Sequence, residues 1–168
     1  MEASTHVKRT TARDDYETPA HLFGQVHSFY QFDVDFAASA ENAKLPNYYS
    51  EQRSFLSATP LEVTGMRAWL NPPFMLKDQF LAHVVKLRND FELAVCLVAN
   101  NARETDWWRE WVWPHADEII SLSPRVNFFL DGKEVRGVAF PTCLAVYRPR
   151  LAAKYGAPRE TIWRWKDR

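Results

Sequence analysis

An α/β domain, with a mostly parallel sheet, helices on both faces and antiparallel strands towards the C-terminal end, is the fold this sequence predicts. Three observations predict it. Short apolar runs alternate with amphipathic stretches through the first two-thirds of the chain, the pattern of strand–helix–strand units. Leu93 to Ala99 is a continuous apolar run, the mark of a strand covered on both sides. Two late apolar runs, Val126 to Leu130 and Val138 to Tyr147, flank the turn Asp131-Gly132-Lys133 and read as an antiparallel pair.

The elements follow in order. Residues 1–15 are polar and irregular, and read as a flexible arm. Thr18 reads as an N-cap with Pro19 at the first helical position, opening a helix that runs to about Tyr30. Phe32 to Ala37 alternates apolar and acidic residues, as a strand does, and Asn47 to Ser50 reads as a second short strand. The stretch 51–65 is irregular. Met66 to Leu70 is a short apolar strand, and Pro72-Pro73 stops it, because proline donates no N–H and fixes φ. Leu76 to about Leu87 is an amphipathic helix with Phe80, Leu81, Val84 and Leu87 on one face. Glu104 to Val112 reads as an aromatic-rich helix whose tryptophans belong to the core, and Glu118 to Leu122 as a strand. The end of the chain is basic, with a helix near 158–166. One domain over 16–149, between the arm 1–15 and a basic tail 150–168, is the expected organisation, and 168 residues are enough for one core.

Composition narrows the function. Cys96 and Cys143 lie inside apolar runs and read as small buried hydrophobes in a reducing compartment. The five histidines are scattered without ligand spacing, so no metal is expected. No glycine-rich phosphate loop is present. No apolar run reaches the roughly 18 residues of a membrane helix, and the opening Met1-Glu2-Ala3-Ser4-Thr5-His6 has no secretory core. A cytoplasmic protein, monomeric or weakly dimeric, is expected. Formal charge balances, with 21 basic and 21 acidic residues, but the cations cluster at both ends. Lys8, Arg9 and Arg13 open the chain, and Arg148, Arg150, Lys154, Arg159, Arg164, Lys166 and Arg168 close it. Such ends are either solvated or grip phosphates.

Asn71-Pro72-Pro73-Phe74 carries the chemistry. The two prolines hold the chain rigid and leave the Asn71 amide and the Pro72 carbonyl to face a ligand. Two such oxygens match the two hydrogens of an exocyclic NH₂, and Phe74 can stack on the ring that bears it. Asp35-Phe36-Ala37-Ala38-Ser39 sets an acid before small residues at a strand end, where a ligand approaches the backbone of an α/β sheet. Tyr16-Glu17-Thr18-Pro19 offers a hydroxyl and free N–H groups at a helix start. Singly, the last two segments read more readily as a tight turn and a plain helix start than as a ligand site.

Together these segments resemble the phage-type DNA N6-adenine methyltransferases, the Dam family. The likeness rests on Asp15-Tyr16-Glu17-Thr18-Pro19, then Asp35-Phe36-Ala37-Ala38-Ser39-Ala40-Glu41-Asn42, Ala43-Lys44, Tyr48-Tyr49 and the loop 71–74. It continues through Thr105-Asp106-Trp107-Trp108, Arg125-Val126-Asn127-Phe128 and Ala139-Phe140-Pro141-Thr142. Three departures stand out: Pro124 in place of the family's Gly, Asn100-Asn101-Ala102-Arg103 before the Trp helix, and Glu51-Gln52-Arg53-Ser54-Phe55 in place of an acidic loop.

The resemblance implies a compact Rossmann-like methyltransferase fold using S-adenosylmethionine, with S-adenosylhomocysteine as product and double-stranded DNA as partner. Asn71, Pro72, Pro73 and Phe74 would be catalytic. Tyr16, Thr18, Pro19, Asp35, Ala37, Ala38, Ser39 and Asn42 would hold the cofactor, with Phe55 stacking on its adenine. Lys8, Arg9, Arg103, Arg125, Lys133 and Arg136 would meet DNA, whose target base must leave the stack. The same loop type also serves methylation of RNA adenine or protein glutamine, and a non-catalytic DNA-binding relative is the third alternative.

Overall fold

The computed structural model describes residues 16–101, 103–136, 140–150 and 156–167. Its strands, in chain order, are β1 (Val34–Asp35), β2 (Arg67–Leu70), β3 (Leu93–Ala99), β4 (Glu118–Ser123), β5 (Phe129–Leu130), β6 (Lys133–Glu134), β7 (Thr142–Tyr147) and β8 (Arg159–Arg164). The helices are α1 (Ala20–Tyr30), α2 (Pro60–Val63) and α3 (Lys77–Leu87). Six strands form one sheet in the order β1-β2-β3-β7-β4-β8. Only β7 runs against its neighbours β3 and β4; the other pairs in that sheet are parallel.

Strand alternation divides the core. Leu93, Val95 and Leu97 point to one side of β3, with Trp69, Leu144 and Val146 of the adjacent strands, and pack against Leu22, Phe23 and Val26 of α1. Ala94, Cys96 and Val98 point to the other side and pack with Phe80, Leu81 and Val84 of α3 and with Trp108 and Val112. A strand buried on both faces must be apolar throughout, which is why 93–99 reads as an unbroken run. Each of its large side chains contributes about 1.5–3 kcal/mol through burial. Helices therefore lie on both faces of a mostly parallel sheet, as the sequence predicts.

Several elements differ from expectation. Pro19, not Thr18, is the residue that precedes the first helical turn. Asn47–Ser50 makes only a bridge, Tyr48 beside Asp35. Residues 55–57 and 60–63 coil into short helices, the second opened by a Thr59–Glu62 capping box that satisfies orphan N–H groups. The segment Trp108–Val112 winds as a π-helix. Residues 126–130 do not pair with 142–147. Phe129–Leu130 instead pairs with Lys133–Glu134 through a two-residue turn, Asp131 at φ 49° and Gly132 at φ 73°, the twist a tight hairpin requires. The strand β7 is fully buried and fills the gap between β3 and β4. Residues 159–164 form an edge strand rather than a helix, in keeping with Thr161, Ile162 and Trp163. Among the described residues no helix is long and apolar enough to cross a membrane.

Candidate active site

Strands β1 and β2 are parallel neighbours, Val34 beside Ala68 and Asp35 beside Trp69, so their carboxyl ends open side by side. Past β1 the chain is braced by backbone bonds: Phe36 N–H to Trp69 O at 2.9 Å, Ala38 N–H to Tyr49 O at 2.9 Å and Tyr49 N–H to Asp35 O at 2.8 Å. Past β2 the Asn71-Pro72-Pro73 corner leads into a 3-10 turn, Phe74–Leu76, that continues as α3. The corner is thus held by a strand on one side and a helix on the other.

A cleft of about 610 Å³ lies over the end of β1. Tyr16, Thr18, Asp35, Ala37, Ala38, Ser39 and Asn42 line it, together with Asn71 and Pro73. A second, smaller cavity of about 50 Å³ lies beyond the corner. Asn71, Pro72, Phe74 and Lys77 line it on one side, and Phe128, Phe140 and Thr142 are also in its wall. Tyr16 and Asn71 belong to both cavities. The corner is the partition between a large space and a small one.

Asn71 is held in a defined orientation. Its Nδ2 donates to the Tyr16 carbonyl at 3.1 Å, so the opposite end of the amide, Oδ1, is an acceptor. The bond spans 55 residues of sequence and ties the start of the described chain to the corner. Tyr16 stacks on Phe128 at 5.7 Å between centroids, and Glu17 makes paired backbone bonds with Phe129, 2.9 and 3.0 Å. Lys77 Nζ lies 4.4 Å over the Phe74 ring and donates to the Phe74 carbonyl at 3.3 Å. Phe74 is 37% exposed.

The large cleft is acidic. Among the described residues, Glu17, Asp35, Glu41 and Glu51 stand in its wall against a single cation, Lys44. Asp35 is 2% exposed. Its carboxylate accepts from Ala37 N–H at 3.1 Å and Lys44 N–H at 3.4 Å, but burial dominates and pushes its pKa up to about 6. Ser39 N–H donates to Asn42 Oδ1 at 2.7 Å, so Asn42 fixes the turn as well as lining the cleft. Thr18 is 3% exposed, and its hydroxyl has no hydrogen-bond partner among the described residues.

The profile described as DNA N-6-adenine-methyltransferase (Dam) matches residues 4–155. The chain belongs to this family. It is similar to the DNA N-6-adenine-methyltransferase of Escherichia phage T1, 28% identical over 124 residues, which cover 73% of this chain and 50% of the relative. It is also similar to the DNA N-6-adenine-methyltransferase of Haemophilus phage HP1, 25% identical over 150 residues, covering 86% of this chain and 83% of that one. The chain spans about half the length of the phage T1 relative.

The structure of this Dam-family chain corrects the expectation for Phe55. Its ring is 1% exposed and stacked 3.9 Å from Phe36. It is a core residue, and its neighbours Ser54 and Leu56 line the cleft instead. Pro19 is buried at the start of α1 and outside the cleft wall. Arg103 is not a free cation: its guanidinium bonds Asn100 Oδ1 at 3.1 and 3.2 Å, pairs with Glu160 at 2.6 Å and lies over the Trp108 ring. Arg125, Lys133 and Arg136 are exposed around the β5–β6 hairpin, with Arg136 pairing to Glu134 at 3.2 Å. Lys8 and Arg9 lie outside the described residues. Sequence reading missed Lys77, whose side chain reaches back from the first position of α3 over the Phe74 ring, and Glu41, Lys44 and Phe128 as wall residues. Among the described residues no group of three or more His, Cys, Asp or Glu is placed to hold a metal.

Proposed function

We propose that this chain transfers a methyl group from S-adenosylmethionine to N6 of an adenine turned out of duplex DNA, on a Rossmann-like scaffold. The observation that carries the reading is Asn71. It stands between an acidic cleft and a smaller aromatic cavity, with its amide turned so that Oδ1 is the acceptor.

The residues of the large cleft fit the donor. A sulfonium and an ammonium are cations, and the wall is rich in carboxylates. The unpartnered Thr18 hydroxyl suits the donor's amino-acid end, and Ala37 and Ala38 leave room along the backbone. Bound there, S-adenosylmethionine supplies an electrophilic methyl. The chain's own part is orientation. Asn71 Oδ1 and the Pro72 carbonyl accept the two N6 hydrogens, which turns the nitrogen lone pair out of the ring and towards the cleft. Phe74, steadied by Lys77, stacks on the base. Alignment of this kind is worth about 7–11 kcal/mol when the geometry is near attack, and stacking returns about 1–3 kcal/mol of the unstacking cost. The smaller cavity, at about 50 Å³, has room for a few waters but not a purine, so the base widens it on arrival.

Incubation with labelled S-adenosylmethionine and unmethylated duplex DNA, followed by digestion to nucleosides, tests the reading. N6-methyladenine is the expected product. Asn71→Ala should lower the rate at least about 100-fold, as loss of one oriented polar group at a reacting centre does, while donor binding by calorimetry persists. Label found in RNA or protein and not in DNA, or wild-type turnover by Asn71→Ala, overturns it.

A further inference from the structure

Thr142 opens β7, opposite Ala99 at the end of β3. Because β7 runs against its neighbours, its first residue reaches the same rim as the carboxyl ends of the parallel strands. Ala99 and Thr142 both line the small cavity with Asn71 and Pro72. Thr142 is 2% exposed, and its hydroxyl has no hydrogen-bond partner among the described residues. A buried hydroxyl without a partner is destabilising, and a valine of the same shape would fill the position without that cost. Leu97, Val98, Phe128 and Phe140 in the cavity wall are apolar, and the amide of Asn71 and the ammonium of Lys77, which share that wall, donate to the Tyr16 and Phe74 carbonyls and not to Thr142.

The geometry points to Thr142 as a base-contacting residue: its hydroxyl donates to a ring nitrogen, N1 or N7, of the everted adenine while Asn71 and Pro72 hold N6. This rests on the adenine-methylating reading above. The base is then gripped from two strands, by the corner after β2 and by the start of β7, with the end of β3 between them.

Steady-state kinetics on a duplex oligonucleotide carrying a site mapped from wild-type methylation tests it. Three proteins are compared: wild type, Thr142→Val and Thr142→Ser. Three target bases are used: adenine, 1-deazaadenine and 7-deazaadenine. On adenine, Thr142→Val should lose about tenfold in kcat/KM and Thr142→Ser less than about threefold, the effect of one hydrogen bond of about 1.4 kcal/mol. On the analogue that lacks the contacted nitrogen, wild type and Thr142→Val should be equal. The melting temperature of Thr142→Val should be no lower than that of wild type, because an unpartnered buried hydroxyl has been removed. An equal loss on all three bases, no loss on any, or a marked drop in melting temperature overturns the assignment to Thr142 alone. A wild-type protein that methylates no adenine overturns the activity itself, and the two failures are distinct.

Discussion

Asp35 gives the sharpest pH prediction. Burial raises its pKa from 3.8 to about 6, a difference of about 2.2 pH units, equivalent to about 3 kcal/mol at about 1.36 kcal/mol per unit. The native carboxyl holds its proton where the unfolded one has lost it. Its contribution to stability is therefore fully present below pH 3.8, and is lost as pH rises through about 6. The ligand-free protein should melt lower at pH 7.5 than the Asp35→Asn protein, by several degrees for a chain of 168 residues. The two curves should converge towards pH 4. His83 and His115, both held below the ordinary imidazole value chiefly by burial, act in the opposite sense, destabilising as pH falls through their native values. The difference between wild type and variant isolates Asp35 from them. A cationic ligand favours the ionised carboxylate, so wild-type affinity for S-adenosylmethionine should fall below pH 6, approaching tenfold per unit, and Asp35→Asn should flatten that slope. Melting curves and calorimetric titrations between pH 5 and pH 8 read both quantities. Parallel pH profiles for the two proteins would refute the placement of a buried, cation-facing carboxyl at this position.

Phe74→Ala should lower kcat/KM for duplex DNA by about 1–3 kcal/mol, roughly 5- to 150-fold, with Phe74→Tyr close to wild type in the same assay. Lys133→Ala and Arg136→Ala should weaken DNA binding regardless of sequence. Each should reduce the slope of log K against log salt by about 1 if its side chain meets a phosphate, as fluorescence titrations at several salt concentrations would reveal. Arg88 is 6% exposed and bonds the His115 and Arg148 carbonyls and, at 3.0 Å, Asp117. Arg88→Met should cost about 3 kcal/mol by urea denaturation, because it strands those acceptors.

What the sequence disclosed followed from how local each signal is. Strand 93–99 was legible because a strand covered on both faces has to be apolar at every position. The corner at 71–73 was legible because consecutive prolines stop a strand wherever they occur. Residues 159–164 were not, since an edge strand need bury little and its charges also fit a solvated helix. Phe55 illustrates another limit. An aromatic between a serine and a leucine looks the same whether it faces a ligand or Phe36, and only the packing of 55–58 against Phe80 and His83 of α3 decides. Arg103 reads as a free cation until β8 brings Glu160 beside it. The orientation of Asn71 depends on Tyr16, far away in sequence, so no local pattern could announce it.

The paired bonds between Glu17 and Phe129 adjoin the bond from Asn71 to Tyr16. One peptide therefore separates the β5–β6 hairpin from the amide that sets the acceptor. A displacement of the hairpin backbone would reach that amide through a single peptide. Under the proposed reading, contact with DNA at the hairpin and the aim of the Asn71 oxygen would be coupled through that one peptide.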